Sequence, residues 1–167
     1  MLQVCNRLKE LDFSALMAVY EEGNRENGED LYPDLPAGQQ RLRAEQDFYA
    51  YLSDGFFTQP GDLYCIWEEN GEYVSALRLQ QFQDGLLLEA LETHPAHRRR
   101  GYAEKLILAV LARFRPEKLY SHISHRNAAS IAVHRKCGFR KIADNARYAD
   151  GSVNSRCGTY LYEKNAG

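Results

Sequence analysis

The sequence has no unbroken apolar run longer than Leu106–Ala112, seven residues, where a helix crossing a bilayer needs about 20. Its opening, Met1–Arg7, shows no basic stretch followed by an apolar one, so no secretion leader is expected and a cytoplasmic location is. Cysteine is scarce: Cys5, Cys65, Cys137 and Cys157 lie far apart and none forms a Cys-x-x-Cys pair. Reduced thiols in a cytosol fit that spacing better than a disulfide framework. Repeats, low-complexity tracts and Gly/Ser linkers are missing. So are a Gly-x-x-x-x-Gly-Lys-[Ser/Thr] loop and a Gly-x-Gly-x-x-Gly turn after the first strand, which leaves kinase and NAD-dependent activities without a motif.

What is present is enough apolar residue for a core: 44% hydrophobic and 26% charged over 167 residues, which reads as one domain spanning 1–167. The net charge of −2 hides an uneven distribution. Glu21–Asp54 holds nine acids and three bases, whereas His97–Lys141 holds twelve bases and two acids. The basic third expects an anionic ligand, and the acidic remainder argues against a nucleic-acid surface, which would also want exposed aromatic platforms.

The patterning predicts a strand at Leu2–Leu8 and a helix capped by Asp12, stapled by Leu11 and Leu16 and ended by Gly23. A polar loop to Pro33 and Pro36 and a second helix, Gly38–Ser53, follow. Leu63, Cys65 and Trp67 alternate with polar neighbours, Asn70-Gly71 and Asp84-Gly85 mark turns, and Tyr73–Phe82 and Leu86–Thr93 continue a three-stranded meander. Gly101–Phe114 places apolar residues at helical spacing and stops at Pro116. Leu119–Ile123 reads as a strand, and Asn127 caps a helix over Ala128–Cys137, closed by Gly138-Phe139. Two last strands, Phe139–Arg147 and Cys157–Tyr162, flank a turn at Asp150-Gly151. The order β α α β β β α β α β β describes a mixed α/β fold of about seven strands and four helices.

The most informative segment runs Thr93-His94-Pro95-Ala96-His97-Arg98-Arg99-Arg100-Gly101-Tyr102-Ala103 and leads from a strand into a helix. A helix start presents unpaired N–H groups and partial positive charge, small residues admit a close ligand, and the arginines add full charge. Together they make a cradle for a diphosphate.

Arg98-x-x-Gly101-x-Ala103 after a strand and proline resembles the acetyl-CoA signature of the GCN5-related N-acetyltransferase (GNAT) superfamily. Asn127-Ala-Ala-Ser-Ile-Ala-Val-His-Arg-Lys-Cys-Gly138-Phe139 is similar to that family's following helix. The resemblance implies a mostly antiparallel sheet and an enzyme moving acetyl from acetyl-CoA to a primary amine by direct attack in a ternary complex. It implies that backbone groups of Leu91 and Thr93 bind the pantetheine arm. The amides of Arg99, Arg100, Gly101, Tyr102 and Ala103, with the Arg98–Arg100 side chains, would hold the pyrophosphate, and Asn127 would sit beside the arm. His134 occupies the place of the family's usual tyrosine, the proton donor to the leaving thiolate, and its last-turn position should favour its protonated form.

An ammonium group cannot attack a thioester until a base removes its proton. Glu89 and Glu92 are the candidates. Three residues apart on a strand, they face opposite ways unless a bulge intervenes. A backbone N–H near Thr93 would polarise the thioester carbonyl. The five histidines, His94, His97, His122, His125 and His134, include two His-x-x-His spacings, but without accompanying cysteine or His-Glu-x-x-His they imply no metal. Tyr148, Tyr160 and Tyr162 either line the acceptor cleft or are half-buried strand residues. The implied partners are a small-molecule or peptide amine, cationic if the acidic third borders it, and a second copy as a homodimer; neither nucleic acid nor membrane is expected. The alternative function is a non-catalytic acyl-CoA-binding sensor or interaction module, which needs neither base nor acid.

Overall fold

The computed structural model describes residues Met1–Asn165. Its framework grows from the expected meander. After β1 (Leu2–Cys5) and three helices, β2 (Leu63–Glu69), β3 (Glu72–Phe82) and β4 (Gly85–Thr93) pair antiparallel through the two predicted turns. β5 (Lys118–Ser124), β6 (Arg140–Ala143) and β9 (Cys157–Glu163) complete a seven-stranded sheet. Its order is β1-β2-β3-β4-β5-β9-β6, and only β4 and β5 run parallel. β7 (Ala146–Arg147) and β8 (Val153–Asn154) form a separate hairpin.

Alternation along the strands divides the core in two. Tyr64, Ile66 and Ala76 face α1 (Phe13–Val19), α2 (Glu21–Leu31) and α3 (Ala37–Asp54), in a cluster with Leu16 and Leu52. Cys65, Leu77, Leu79 and Leu88 face the opposite way, against Leu106, Ile107 and Val110 of α4 (Tyr102–Phe114), where α5 (Ala128–Lys136) also packs. Each of these fully buried aliphatic side chains contributes roughly 1.5–3 kcal/mol of transfer free energy. The caps are as expected: Asp12 accepts from the Ala15 amide and Asn127 from the Ser130 amide, both at 3.0 Å. All four cysteines are free thiols.

Three expectations are corrected. The polar stretch after Gly23 is helix, so five helices flank the sheet instead of four. Gly23 does not stop α2, because tertiary packing overrides the low propensity of its two glycines. A Cβ at Gly28 would lie 2.4 Å from the Gln40 carbonyl oxygen, so glycine there lets α2 press onto the backbone of α3. The first strand ends at Cys5, where a short 3-10 turn, Leu8–Glu10, takes over. The expected strand Phe139–Arg147 breaks into β6 and β7, because β6 leaves the sheet at Ala143.

Two irregularities position the site. β4 and β5 share only the pairs Leu86–Leu119, Leu87–Tyr120 and Leu88–Ser121, then separate. Gly85 closes the other end of this pair, since any Cβ would meet the Lys118 carbonyl oxygen at 2.3 Å. Beyond Leu88 the β5-facing edge of β4 is open. Second, the β3–β4 register shifts between Ala76 and Arg78, with Ala90 in the left-handed region at φ 53°. That is a bulge. Glu89 pairs in register with Arg78 and Glu92 with Ala76, so both carboxylates point to the α1–α3 face.

Candidate active site

Gly101 caps α4 from the left-handed region at φ 78°, and Arg99 is left-handed too at φ 63°. No side chain caps the helix. Among the described residues, the amides of Arg99 to Glu104 donate to no backbone acceptor. A run of free amides at a left-handed turn is a concave anion receptor, with the helix dipole behind it. His94 and His97 brace the loop: Ala96 N–H donates to His94 Nδ1 at 3.0 Å, and Glu72 lies 3.7 and 3.1 Å from the two Nε2 atoms. With the Nδ1 atoms facing the Ala96 amide and the Arg100 guanidinium, His97 Nε2 is placed to donate to Glu72, while His94 Nε2 stands beyond hydrogen-bond distance of it. Glu72, His94 and His97 thus form a close cluster at the foot of the loop.

The phosphate corner opens into a cleft of about 770 Å³ running along the open edge of β4 to α5. Leu91, Thr93, Arg98, Arg99, Gly101, Tyr102, Ala103 and Asn127 line it, so most of the sequence-derived coenzyme residues converge. Arg100 does not line it, and its guanidinium turns to His97 Nδ1 at 3.3 Å. Arg98 is drawn across the cleft to Glu22 at 2.5 Å. The Thr93 hydroxyl lies 3.3 Å from Ser75 Oγ, which donates to the Glu92 carbonyl at 2.9 Å. A Glu22–Gly23–Glu26 wall from α2 and a Ser130–Val133 wall from α5 also line the cleft. Sequence reading missed the first because α2 looked like loop.

His134 is only 1% exposed and does not line the cleft. Its Nδ1–H donates to the Ser130 carbonyl at 2.7 Å, which leaves Nε2 to accept from the Ser121 hydroxyl at 3.0 Å. Burial lowers its pKa and outweighs the hydrogen bond to Ser130. The expectation that the helix end would favour imidazolium is therefore corrected: desolvation wins, and the ring is neutral at pH 7. Ser130 is the cleft-facing neighbour, its hydroxyl 3.3 Å from His134 Nδ1.

A second cavity, of about 370 Å³, lies under α2 and α3, with Tyr20, Asn24, Asn27, Phe48, Tyr51 and Arg78 in its wall. Gly23 and Glu92 belong to both cavities. Glu92 thus stands where the two cavities meet, and Gly23 lies beside it: a Cβ there would be in ordinary contact with Glu92 Oε1 at 3.9 Å. Desolvation raises the Glu92 pKa, Arg98 opposes it, and Glu22 and Glu26 add to it. Glu89 lines neither cavity. Its Oε1 accepts from Arg78 Nε at 3.0 Å and Gln80 Nε2 at 2.6 Å. Tyr160 is buried in the core, Tyr148 packs edge-to-face with His122 and Tyr162 lies tilted against Phe139; none reaches either cavity.

Comparison with known proteins agrees with this geometry. A search of curated proteins found no match to the sequence. The ribosomal-protein-S18-alanine N-acetyltransferase of Escherichia coli has the same fold, with TM-score 0.62 and 16% identity, covering 100% of this chain and 96% of that one. The PaiA N-acetyltransferase of Thermoplasma acidophilum, solved with coenzyme A, superposes with TM-score 0.65 and 12% identity over 98% and 99%. YncA of Salmonella typhimurium, solved with its cofactor acetyl-CoA, gives 0.57 and 16% over 100% and 96%. Residues 16–139 match the model of the acetyltransferase (GNAT) family, and with the split sheet and the amide cradle this places the chain in that family.

Proposed function

We propose that the protein transfers acetyl from acetyl-CoA to a primary amine by direct attack in a ternary complex. The observation that carries this reading is Glu92, a carboxylate with raised pKa set where the two cavities meet. The residues fit the coenzyme. Free amides from Arg99 onward suit its diphosphate, and the open β4 edge at Leu91 and Thr93 suits pantetheine amides, which can add there like a strand. When bound, the coenzyme supplies the thioester carbon that accepts the nitrogen and the thiolate that leaves.

Glu92 takes the proton from the acceptor's ammonium, directly or through water, and frees the lone pair. Its raised pKa makes it a stronger base than an ordinary carboxylate. Backbone N–H near Thr93 polarises the carbonyl. The Ser130 hydroxyl, facing the cleft, donates to the departing sulfur; His134 acts behind it as a positioning residue, holding α5 to β5. Glu89 is a structural partner of Arg78 rather than the base. A pure binding module has no use for a desolvated carboxylate between two cavities.

The test is thiol release from acetyl-CoA across amine, amino-acid and peptide acceptors, with coenzyme affinity measured by calorimetry. Amine-dependent release is expected. Tight coenzyme binding with no release for any acceptor would instead favour the sensor.

A further inference from the structure

We propose that the acceptor carries a carboxylate as well as the amine, with the carboxylate held by the terminal nitrogens of Arg78 and the amine at Glu92. This rests on the reading of the α2–α3 cavity as the acceptor site.

Arg78 sits on β3 among residues that are otherwise buried, and its side chain is 14% exposed. Its guanidinium is boxed by Phe48, Tyr51, Phe56 and Tyr64, with ring centroids 4.9–5.9 Å from Cζ. Desolvation opposes its charge, but the Glu89 carboxylate beside it sustains the protonated form. A buried cation is costly unless its donors are used. Among the described residues the only hydrogen bond of Arg78 is from Nε to Glu89. The terminal NH2 groups neighbour the Tyr64 hydroxyl, which has no other partner, and Arg78 belongs to the cavity wall. They form the planar fork that matches a carboxylate with two parallel bonds.

The bulge sets the spacing. Glu92 is in register with Ala76, two residues from Arg78 on the same face of β3, so Glu92 and Arg78 are diagonal neighbours across the strand pair, about 7–8 Å apart. A small molecule with amine and carboxylate a few atoms apart bridges that span. A polycation finds no use for the fork. The acidic third does not change this: of its acids only Asp47 reaches this cavity. Asp47 is exposed at the rim, bonded to Tyr32 and paired with Arg43 at 3.8 Å.

The experiment compares common L-amino acids, β-alanine and γ-aminobutyrate, each beside its amide and its decarboxylated amine, by thiol release and by calorimetry on protein saturated with CoA. A carboxylate-bearing member should exceed both counterparts in kcat/KM by on the order of 100-fold or more. Arg78→Lys, and the charge-neutral pair Arg78→Met with Glu89→Gln, should erase that preference while coenzyme affinity stays at the wild-type value. That unchanged affinity also certifies the fold. Turnover of amines without preference for the carboxylate overturns the proposal and leaves acetyl transfer standing. Preferential binding of amino carboxylates without thiol release sinks acetyl transfer and overturns the proposal with it, leaving Arg78 as a carboxylate-binding site only. Neither binding nor turnover of any carboxylate-bearing amine overturns it.

Discussion

At the scale of single residues, burial sets the protonation of two groups that bear on the site, Glu92 and His134. Glu92 has a folded-state pKa above its unfolded one, with desolvation the largest cause. Its ionised form at neutral pH therefore costs stability; the cost shrinks as pH falls through the folded value and vanishes below the unfolded one. Glu92→Gln should raise Tm at pH 7 in thermal melts while lowering kcat by about 10²–10⁴-fold, the range of general-base catalysis. Coenzyme affinity should hold. His134 is the opposite case, with its pKa depressed below the ordinary 6.5 by desolvation. The unfolded chain takes up a proton first, so stability present above pH 6.5 is lost as pH falls towards the folded value. Melts of wild type from pH 7.5 to 5 should show that loss, and His134→Gln should reduce it, the remainder belonging to His122, whose pKa burial also lowers; equal slopes would show the His134 ring does not contribute.

At the scale of elements, the contact between α2 and α3 forms the roof of the cavity. Gly28→Ala sets a methyl group against the Gln40 carbonyl, and overpacking of this kind costs typically about 1–3 kcal/mol. Displacing α2 also moves Gly23 from Glu92, so KM for the acceptor should rise more than KM for acetyl-CoA in steady-state kinetics. Equal changes would detach the roof from acceptor binding. This helix also shows where sequence reading failed. Its polar composition and two glycines carry no apolar stripe, and what makes it helical is long-range contact that one-dimensional patterning does not contain. The meander, the caps at Asp12 and Asn127, and the arginine cradle were legible because their signals are local. The bulge at Ala90 was not, since no residue type demands it there, and the facing of Glu89 and Glu92 stayed open until the register was known. Arg78 left a signal that was passed over: a charged residue on the core-facing rung of Tyr73–Phe82.

At the scale of the molecule, the two charged thirds take different walls of one groove. The basic segment supplies the phosphate corner and α5, the acidic segment supplies α2, and Arg98–Glu22 joins them across the opening. The phosphate corner is solvent-exposed, so coenzyme affinity should weaken as salt is raised from 0.05 to 0.5 M, in proportion to the screening of a few charges. An affinity insensitive to salt in titration calorimetry would mean the guanidinium groups contribute little.

The parting of β4 from β5 reaches beyond the chemistry. Only three residue rungs join the first four strands to the last three, so the sheet is stitched at one end and unseamed at the other. A molecule laid in that seam acts as mortar between two halves of the protein. In amide exchange, protection of β5 and β9 should climb on saturation with CoA, by about 2.7 kcal/mol at a hundredfold excess over Kd where opening is global. The enzyme would then be most cohesive when charged with its donor and loosest after discharge.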